Sequence, residues 1–340
     1  MPLWTDIITP VEATAVARVR QAELETEKGR LSRFLPNVFV PSTHVKFKVG
    51  ANGLVDNARY RQFNAPPEIG RGEQAADRVV SLAAISREEE IDELTQMEMA
   101  YLPDDQVRKS VEAAIRRSVE ATTQTQEATR GQVIHRGIAA TTQGNYYLND
   151  DFGRDPALTV TASTLWSDSS ADALGQLAQW IEVYAAKNNG DEPGLILGSR
   201  ATFSAFSNLS QFRTVLAGGS SRPPMAGEVQ GIVEAAGFPT FELYNRSTSW
   251  GLVLPKEYIY LLPAPVDPFS ETPSALGATY WGRTLTATKP GFGIAAGEQP
   301  GIVVGAFQEE GVPPLTKVQS DSIGLPVAQD ANKVMAIKVL

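Results

Sequence analysis

The chain has 340 residues, of which 42% are apolar and 20% charged, with a formal net charge of −9 and no cysteine. Such a length can bury about two cores of ordinary size, and the lack of cysteine excludes disulfides, thiolate zinc sites, iron–sulfur clusters and cysteine nucleophiles together. The acidic balance argues against tight nucleic-acid binding, which depends on lysine and arginine displacing counterions from phosphates.

The start, Met1-Pro2-Leu3-Trp4-Thr5-Asp6, has no basic stretch leading into an apolar one, and the most apolar run, Gly251 to Leu262, is cut by Pro255, Lys256 and Glu257. Neither a signal peptide nor a membrane span is expected. Residues 1–43 hold a candidate helix from Pro10 to Val19 that runs into the charged Glu23 to Arg30, followed by the proline-broken apolar run Phe34 to Pro41. That run is too short for a core of its own, and two placements stay open: an extension lying on its own domain, or an arm lying on a neighbouring subunit.

Residues 44–80 open with the alternating Val45-Lys46-Phe47-Lys48-Val49 and pass through Asn52-Gly53, Arg59-Tyr60-Arg61-Gln62-Phe63 and Pro66-Pro67 to Gly70-Arg71-Gly72. Alternation with turn signals predicts a long two-stranded projecting loop. A bare hairpin of that length is marginal in water, so a covering partner is expected, a ribbon folded on its own sheet being the alternative. Ser86-Arg87-Glu88-Glu89 has the form of a capping box and predicts a helix start, with Ile91, Leu94 and Tyr101 spacing an apolar face and the carboxylates matched to the helix dipole. Pro103 ends or kinks that helix, and Val107, Val111, Ile115 and Val119 recur every four residues beyond it. The expectation is one long, bent, amphipathic helix.

Two glycine-bounded stretches follow, Gly131-Gln132-Val133-Ile134-His135-Arg136-Gly137 and Tyr146 to Arg154, both read as strands, and then Trp166-Ser167-Asp168 at the mouth of a helix striped by Leu174, Leu177, Ile181 and Tyr184. Asn188-Asn189-Gly190 stops that helix, Gly194 to Gly198 is a short buried strand, Ser199 caps a helix carrying Phe203 and Phe206, and Pro223-Pro224 opens another that stops at Gly237. Strand signals then dominate at Thr240 to Tyr244, Tyr258 to Leu262, Ala278 to Thr288, Ile302 to Phe307 and Lys333 to Leu340. The class is mixed α+β.

Recognisable chemistry is absent. His44 and His135 are the only histidines, outside any His-Glu-x-x-His frame; there is no Gly-x-x-x-x-Gly-Lys-Ser/Thr loop and no Gly-x-Ser-x-Gly elbow. Gly291 to Gly297 reads as a turn, its third glycine falling one residue late for a dinucleotide loop. A carboxylate pair of the kind glycosidases use is set in space, not in spacing, and 39 acidic residues give no lead to one. No cofactor or metal is expected.

In their order, the central glycine-bounded stretches, Trp166-Ser167-Asp168, the late Tyr280-Trp281-Gly282-Arg283-Thr284 and the closing Lys333 to Leu340 resemble tailed-phage major capsid proteins of the lambda coat family. The resemblance implies the fold shared by tailed-phage and herpesvirus capsids. It divides the chain into an N-terminal arm (1–43), an extended loop lying across the adjacent subunit (44–80), a peripheral domain carrying the spine helix (81–166 and 300–340) and an axial domain (167–299). It implies a protein that is not an enzyme, and that assembles with itself into pentamers and hexamers of an icosahedral head enclosing double-stranded DNA and expanding on maturation. Scaffolding, portal and decoration proteins are partners it allows. Arg59, Arg61 and Phe63 become candidate contacts with a neighbour, Pro103 the candidate bend of the spine helix, and the apolar residues of the first eighty positions gain cover from another copy. Some members of the wider fold crosslink lysine to asparagine, but Lys46 and Lys48 read better as solvated edge charges. An encapsulin-like compartment shell is the alternative within the fold, and a carboxylate-dependent hydrolase the alternative outside it, requiring an acidic pair with a raised pKa in a cleft.

Overall fold

A computed structural model describes residues 3, 5–27, 30–49, 76–99, 101–143, 146–212, 224–295, 301–309, 311 and 315–340. Its first elements are α1 (Pro10–Glu27), β1 (Asn37–Phe39), β2 (His44–Val49), β3 (Ala76–Ser81), β4 (Ala84–Ile91), α2 (Glu93–Met99), α3 (Asp104–Arg136), β5 (Ile138–Gln143), β6 (Tyr146–Asp151) and β7 (Thr159–Thr161). They are followed by α4 (Ala173–Lys187), β8 (Leu195–Gly198), α5 (Arg200–Ser207), α6 (Ala226–Ala235), β9 (Phe241–Leu243), β10 (Ser247–Thr248) and β11 (Gly251–Leu252). The last are β12 (Tyr258–Leu262), β13 (Gly277–Gly282), β14 (Val303–Glu309), β15 (Leu315–Ala328) and β16 (Met335–Lys338).

At 33 residues, α3 runs about 50 Å and organises the molecule. Val107, Val111, Ile115 and Val119 are all buried, as their four-residue spacing predicts, and meet Ala13, Ala17 and Leu24 of α1 and Ile302 and Val304 beside or within β14. Pro103 is the N-cap residue of α3, at φ −62° and ψ 150°, separating it from α2. The helix ends on Gly137, whose φ of 70° only glycine adopts freely and whose N–H donates to the Val133 carbonyl. Arg154 completes this end: its guanidinium donates to the carbonyls of His135 (2.9 Å), Val133 (3.0 Å) and Ile134 (2.6 Å), placing a cation on the negative pole of the helix. Burial lowers the Arg154 pKa to about 10, which leaves it charged at neutral pH. Arg154→Met is expected to cost about 2–3 kcal/mol and to speed amide exchange in the last turn of α3, read by hydrogen exchange; unchanged protection there would dismiss the cap.

Two reassignments follow. Residues 131–136 are the last turns of α3 and not a strand, because the helical ladder continues to the Gly137 stop. Residues 84–91 form β4 and not a helix start: the capping-box serine and carboxylates lie in an antiparallel ladder against β15, with Glu90 opposite Lys317 and Glu88 opposite Gln319. Alternation brings Glu88 and Glu90 to one face, where Lys317 reaches them at 3.0 and 3.2 Å and Glu309 at 3.1 Å. Pairing with a long strand thus outcompetes a local helix signal. Consistent with this, Ile91 is buried on β4 while Leu94 and Tyr101 are exposed, so the face expected of the three residues is not formed.

The strands build two five-stranded sheets. The first has the order β1-β13-β15-β14, with β4 on the other edge of β15, and the second β7-β16-β12-β8-β9. Among the described residues three two-stranded pairs, β2–β3, β5–β6 and β10–β11, are not hydrogen-bonded into them. Sheet membership crosses the boundaries expected at 166/167 and 299/300: β7 and β16 complete the sheet of β12 and β8, whereas β13 lies in the sheet of β15. The second sheet packs its Ile196, Ile259, Leu261 and Ile337 against Leu177 and Trp180 of α4, Phe206 of α5 and Val229 and Val233 of α6. Trp166 is buried there, 4.8 Å from the Phe206 ring, its indole N–H donating to Gln176. The helix after it starts later than expected, Asp172 capping α4 by accepting from the Gly175 N–H. Ser199 caps α5 as expected, accepting from the Thr202 N–H.

Most apolar residues described between 8 and 39 pack on their own body, with Val11, Val19 and Phe39 left exposed. Ile8, Ala13, Ala17 and Leu24 join the α3–β14 core, and Leu31, Phe34, Leu35 and Val38 join the core under the first sheet with Val45, Phe47 and Val80 of the β2–β3 ribbon. For these described residues the cover expected from another copy comes instead from α3 and the first sheet. No described helix is long and apolar enough to cross a membrane.

Candidate functional site

The most concentrated chemistry among the described residues is a buried ionic cluster towards the C-terminal end of α3. Arg130, wholly buried, donates to Glu25 (3.1 and 3.3 Å), to Glu127 (3.4 Å), to the Asn37 side-chain oxygen (2.8 Å) and to the Thr279 hydroxyl (2.8 Å). Glu127 accepts from the Tyr244 hydroxyl (2.7 Å) and the Leu31 N–H (3.3 Å), and the Arg246 guanidinium lies 3.8 Å away. Asn37 accepts also from the Trp281 indole N–H at 2.7 Å and donates to Glu25 at 2.9 Å. One cluster therefore ties α1, β1, α3, β13 and the segment after β9 to each other.

Its electrostatics are those of a locked structural pair. Burial raises the Glu127 pKa against the pull of Arg130, the Tyr244 hydroxyl and Arg246. Burial presses on Arg130 in the opposite sense, but Glu25 and Glu127 outweigh it and hold its pKa above the ordinary value. Burial and the neighbouring Glu127 push Tyr244 up as well, so it remains a donor. The carboxylates are sealed from solvent and cannot meet a substrate. Nothing in the spacing of the chain announces this cluster beyond a Glu127/Arg130 pair three residues apart on a helix; its other members come from positions 25, 37, 244, 246 and 279.

The hydrolase alternative needs an acid with a raised pKa in an open cleft. A surface cleft of about 390 Å³ is lined by Ser86, Arg87, Glu88, Thr286 and Asp321 among others. There Glu88 is held below its ordinary value by Gln319 and Lys317, and Asp321 accepts from the hydroxyls of Ser86 (2.9 Å) and Thr286 (2.7 Å). Glu88 is therefore not poised as a general acid. Among the described residues no His, Asp and Glu side chains group into a metal-holding set.

His135 sits beside Tyr258 and Tyr260, with its Nδ1 3.1 Å from the Tyr260 hydroxyl. Burial, with Arg136 and Arg154 nearby, lowers its pKa from 6.5 to about 4. The unfolded chain therefore takes up a proton that the folded one refuses, and the stability from a neutral His135 is complete above about pH 6.5 and declines as the pH falls towards 4. After allowance for partial exposure the effect is on the order of 1 kcal/mol. Urea denaturation at pH 7 and pH 5 measures it, and His135→Gln is expected to flatten that part of the pH dependence; an equal slope in the variant would remove His135 as the cause.

Arg59, Arg61 and Phe63 lie outside the described residues, so the geometry unites none of them with a partner surface. The ribbon that leads to them is described at its base, where His44 pairs with Ser81 and Val49 with Ala76. Pro103 stands alone at the start of α3.

The fold is that of tailed-phage capsid proteins. A prophage capsid protein of Escherichia coli superposes with a TM-score of 0.64 at 15% identity, over 98% of this chain and 99% of that one. A phage-related protein of Bordetella bronchiseptica superposes with a TM-score of 0.59 at 14% identity, over 95% of each chain. No curated protein sequence matches the chain. The chain belongs to the phage major capsid protein E family, whose sequence model matches residues 22–281. It is accordingly a structural protein of a phage capsid and not an enzyme.

Proposed function

We propose that copies of this chain assemble into pentamers and hexamers that close an icosahedral head around double-stranded DNA and expand as the head matures. Assembly takes place in the host cytoplasm, with scaffolding, portal and decoration proteins as candidate partners. The family match over residues 22–281 carries this reading and favours a phage head over an encapsulin-like compartment. In it residues 81–166 and 300–340 form the peripheral domain on α3 and residues 167–299 the axial domain, with β7, β13 and β16 exchanged between their sheets. Residues 1–43 remain the N-terminal segment. Residues 44–80 extend from the β2–β3 ribbon across the adjacent subunit, with Arg59, Arg61 and Phe63 at the contact, and Pro103 is where α3 changes angle on expansion.

A ring of identical subunits needs contacts between two different patches, repeated by rotation, and many weak contacts of this kind lock a shell by multivalency. Electron microscopy of the chain expressed alone tests the proposal. Closed shells or capsomer rings are the expected result, and a strictly monomeric protein at high concentration would overturn it.

A further inference from the structure

Helix α2 is fixed to the first sheet by one side only. Gln96 donates to the Ile91 carbonyl (2.6 Å) and accepts from the Thr316 hydroxyl (3.1 Å), and Asp92 caps the helix by accepting from the Thr95 N–H (2.7 Å). Away from that anchor, Leu94, Met97 and Tyr101 are 68, 60 and 90% exposed. Leu94 and Met97, three positions apart, share one side of α2, and Tyr101 follows in the turn beyond it, its N–H donating to the Glu98 carbonyl at 3.2 Å. Exposed Glu93, Glu98 and Asp104 border these residues, and among the described residues none of the three has a cationic partner. An apolar patch inside an uncompensated acidic border fits an apolar surface with a basic border.

The same chain carries an exposed apolar side chain with such a border. Leu285 is 79% exposed, next to exposed Arg283 and Lys289, and neither cation has an acidic partner among the described residues. The segment is held by the Thr286 hydroxyl, which donates to Asp321 at 2.7 Å. Thr316 and Asp321, the two anchors, are five positions apart on β15, so roughly 17 Å separates them along the strand and their side chains leave opposite faces of the sheet. Patches on opposite faces of one sheet cannot cover each other within a single molecule.

We propose that the Leu94–Met97–Tyr101 patch of one copy docks on the Arg283–Leu285–Lys289 knob of the next, as a head-to-tail contact between copies of this chain. Acidic border meets basic border, and the apolar residues of both leave water. The contact rests on the shell-building reading above and names two surfaces for it, both distinct from the 44–80 loop.

Charge exchange in the full-length chain tests it. Three variants are compared with the parent by sedimentation and electron microscopy: Glu93→Lys with Glu98→Lys, Arg283→Glu with Lys289→Glu, and all four together. Because these side chains are exposed, thermal midpoints are expected to stay within about 2 °C of the parent. Each two-site variant is expected to lower the assembled fraction at least about tenfold at fixed concentration and low salt, and the four-site variant to recover to within about threefold of the parent. Leu94→Asp with Tyr101→Asp is expected to abolish assembly with the fold intact. If the parent assembles and the two-site variants assemble equally well, or the four-site variant is no better than the poorer of them, this contact is overturned while the shell reading stands. A parent that never assembles overturns both.

Discussion

Arg130→Met is expected to destabilise the protein by about 3–5 kcal/mol, enough to leave much of it insoluble on expression. The substitution keeps an apolar stem of similar length but strips Glu25 and Glu127, both wholly buried, of the guanidinium they share. Their remaining donors, Asn37, the Leu31 N–H and Tyr244, are neutral, and Arg246 stands off at 3.8 Å. Two carboxylates would then be charged without adequate compensation, or would take up protons at a cost in stability. Adding Glu25→Gln and Glu127→Gln to Arg130→Met removes those charges and is expected to restore more than half of the loss, measured by chemical denaturation. A single Arg130→Met variant within about 1 kcal/mol of the parent would mean that the cluster is held by packing and not by charge.

Gly131→Ala, one residue further on, is expected to cost about 2 kcal/mol even though alanine favours helix. In the middle of an exposed helix the exchange would gain up to about 1 kcal/mol. Here a Cβ on Gly131 would fall 2.4 Å from the Val253 carbonyl oxygen and 2.5 Å from its Cγ1. The first of these atoms is backbone and has no rotamer in which to retreat, so overpacking dominates. Gly231→Ala in α6 is the control: nothing lies within 4 Å of the added carbon, and a stabilisation of roughly 0.5–1 kcal/mol is expected there. Denaturation midpoints that move the same way for both variants would remove the close approach of α3 to residue 253 as the reason for glycine at position 131.

The parts of the fold that could be read from the sequence were those whose local pattern agrees with their tertiary surroundings. The Val107 to Val119 stripe, the Ser199 cap and the strand at Tyr258 to Leu262 are of this kind. Where a local signal met a stronger distant partner, the partner prevailed. Ser86 to Glu89 reads as a capping box, yet its carboxylates lie in a ladder with β15, a strand more than two hundred residues away. β15 itself, at 14 residues the longest strand among the described residues, went unread, because its buried Thr316, Ser320 and Ser322 look solvent-facing in a sequence. Gly131 to Gly137 read as a strand because its glycines looked like turn punctuation; one marks a close helix approach and the other a helix stop. The ordered set of short motifs was more informative about family than any single one was about structure. Arg130, by contrast, stood in the sequence only as a residue beside a glycine, and its distant partners, Glu25, Asn37 and Thr279, have no common spacing to reveal them.

In the first sheet, β1 lies parallel to β13 with Asn37 opposite Thr279, and β4 lies against β15 with Ser86 opposite Asp321. Each pairing joins residues about 240 positions apart, and loop closure over such distances is slow. A ribosome emitting this chain must therefore deliver most of it before the opening segment finds its berth, and until then Phe34, Leu35 and Val38 remain uncovered on the nascent polypeptide. Subunits reach the assembling pool only after translation has passed β15, so half-made copies lack a finished surface on which a lattice could grow.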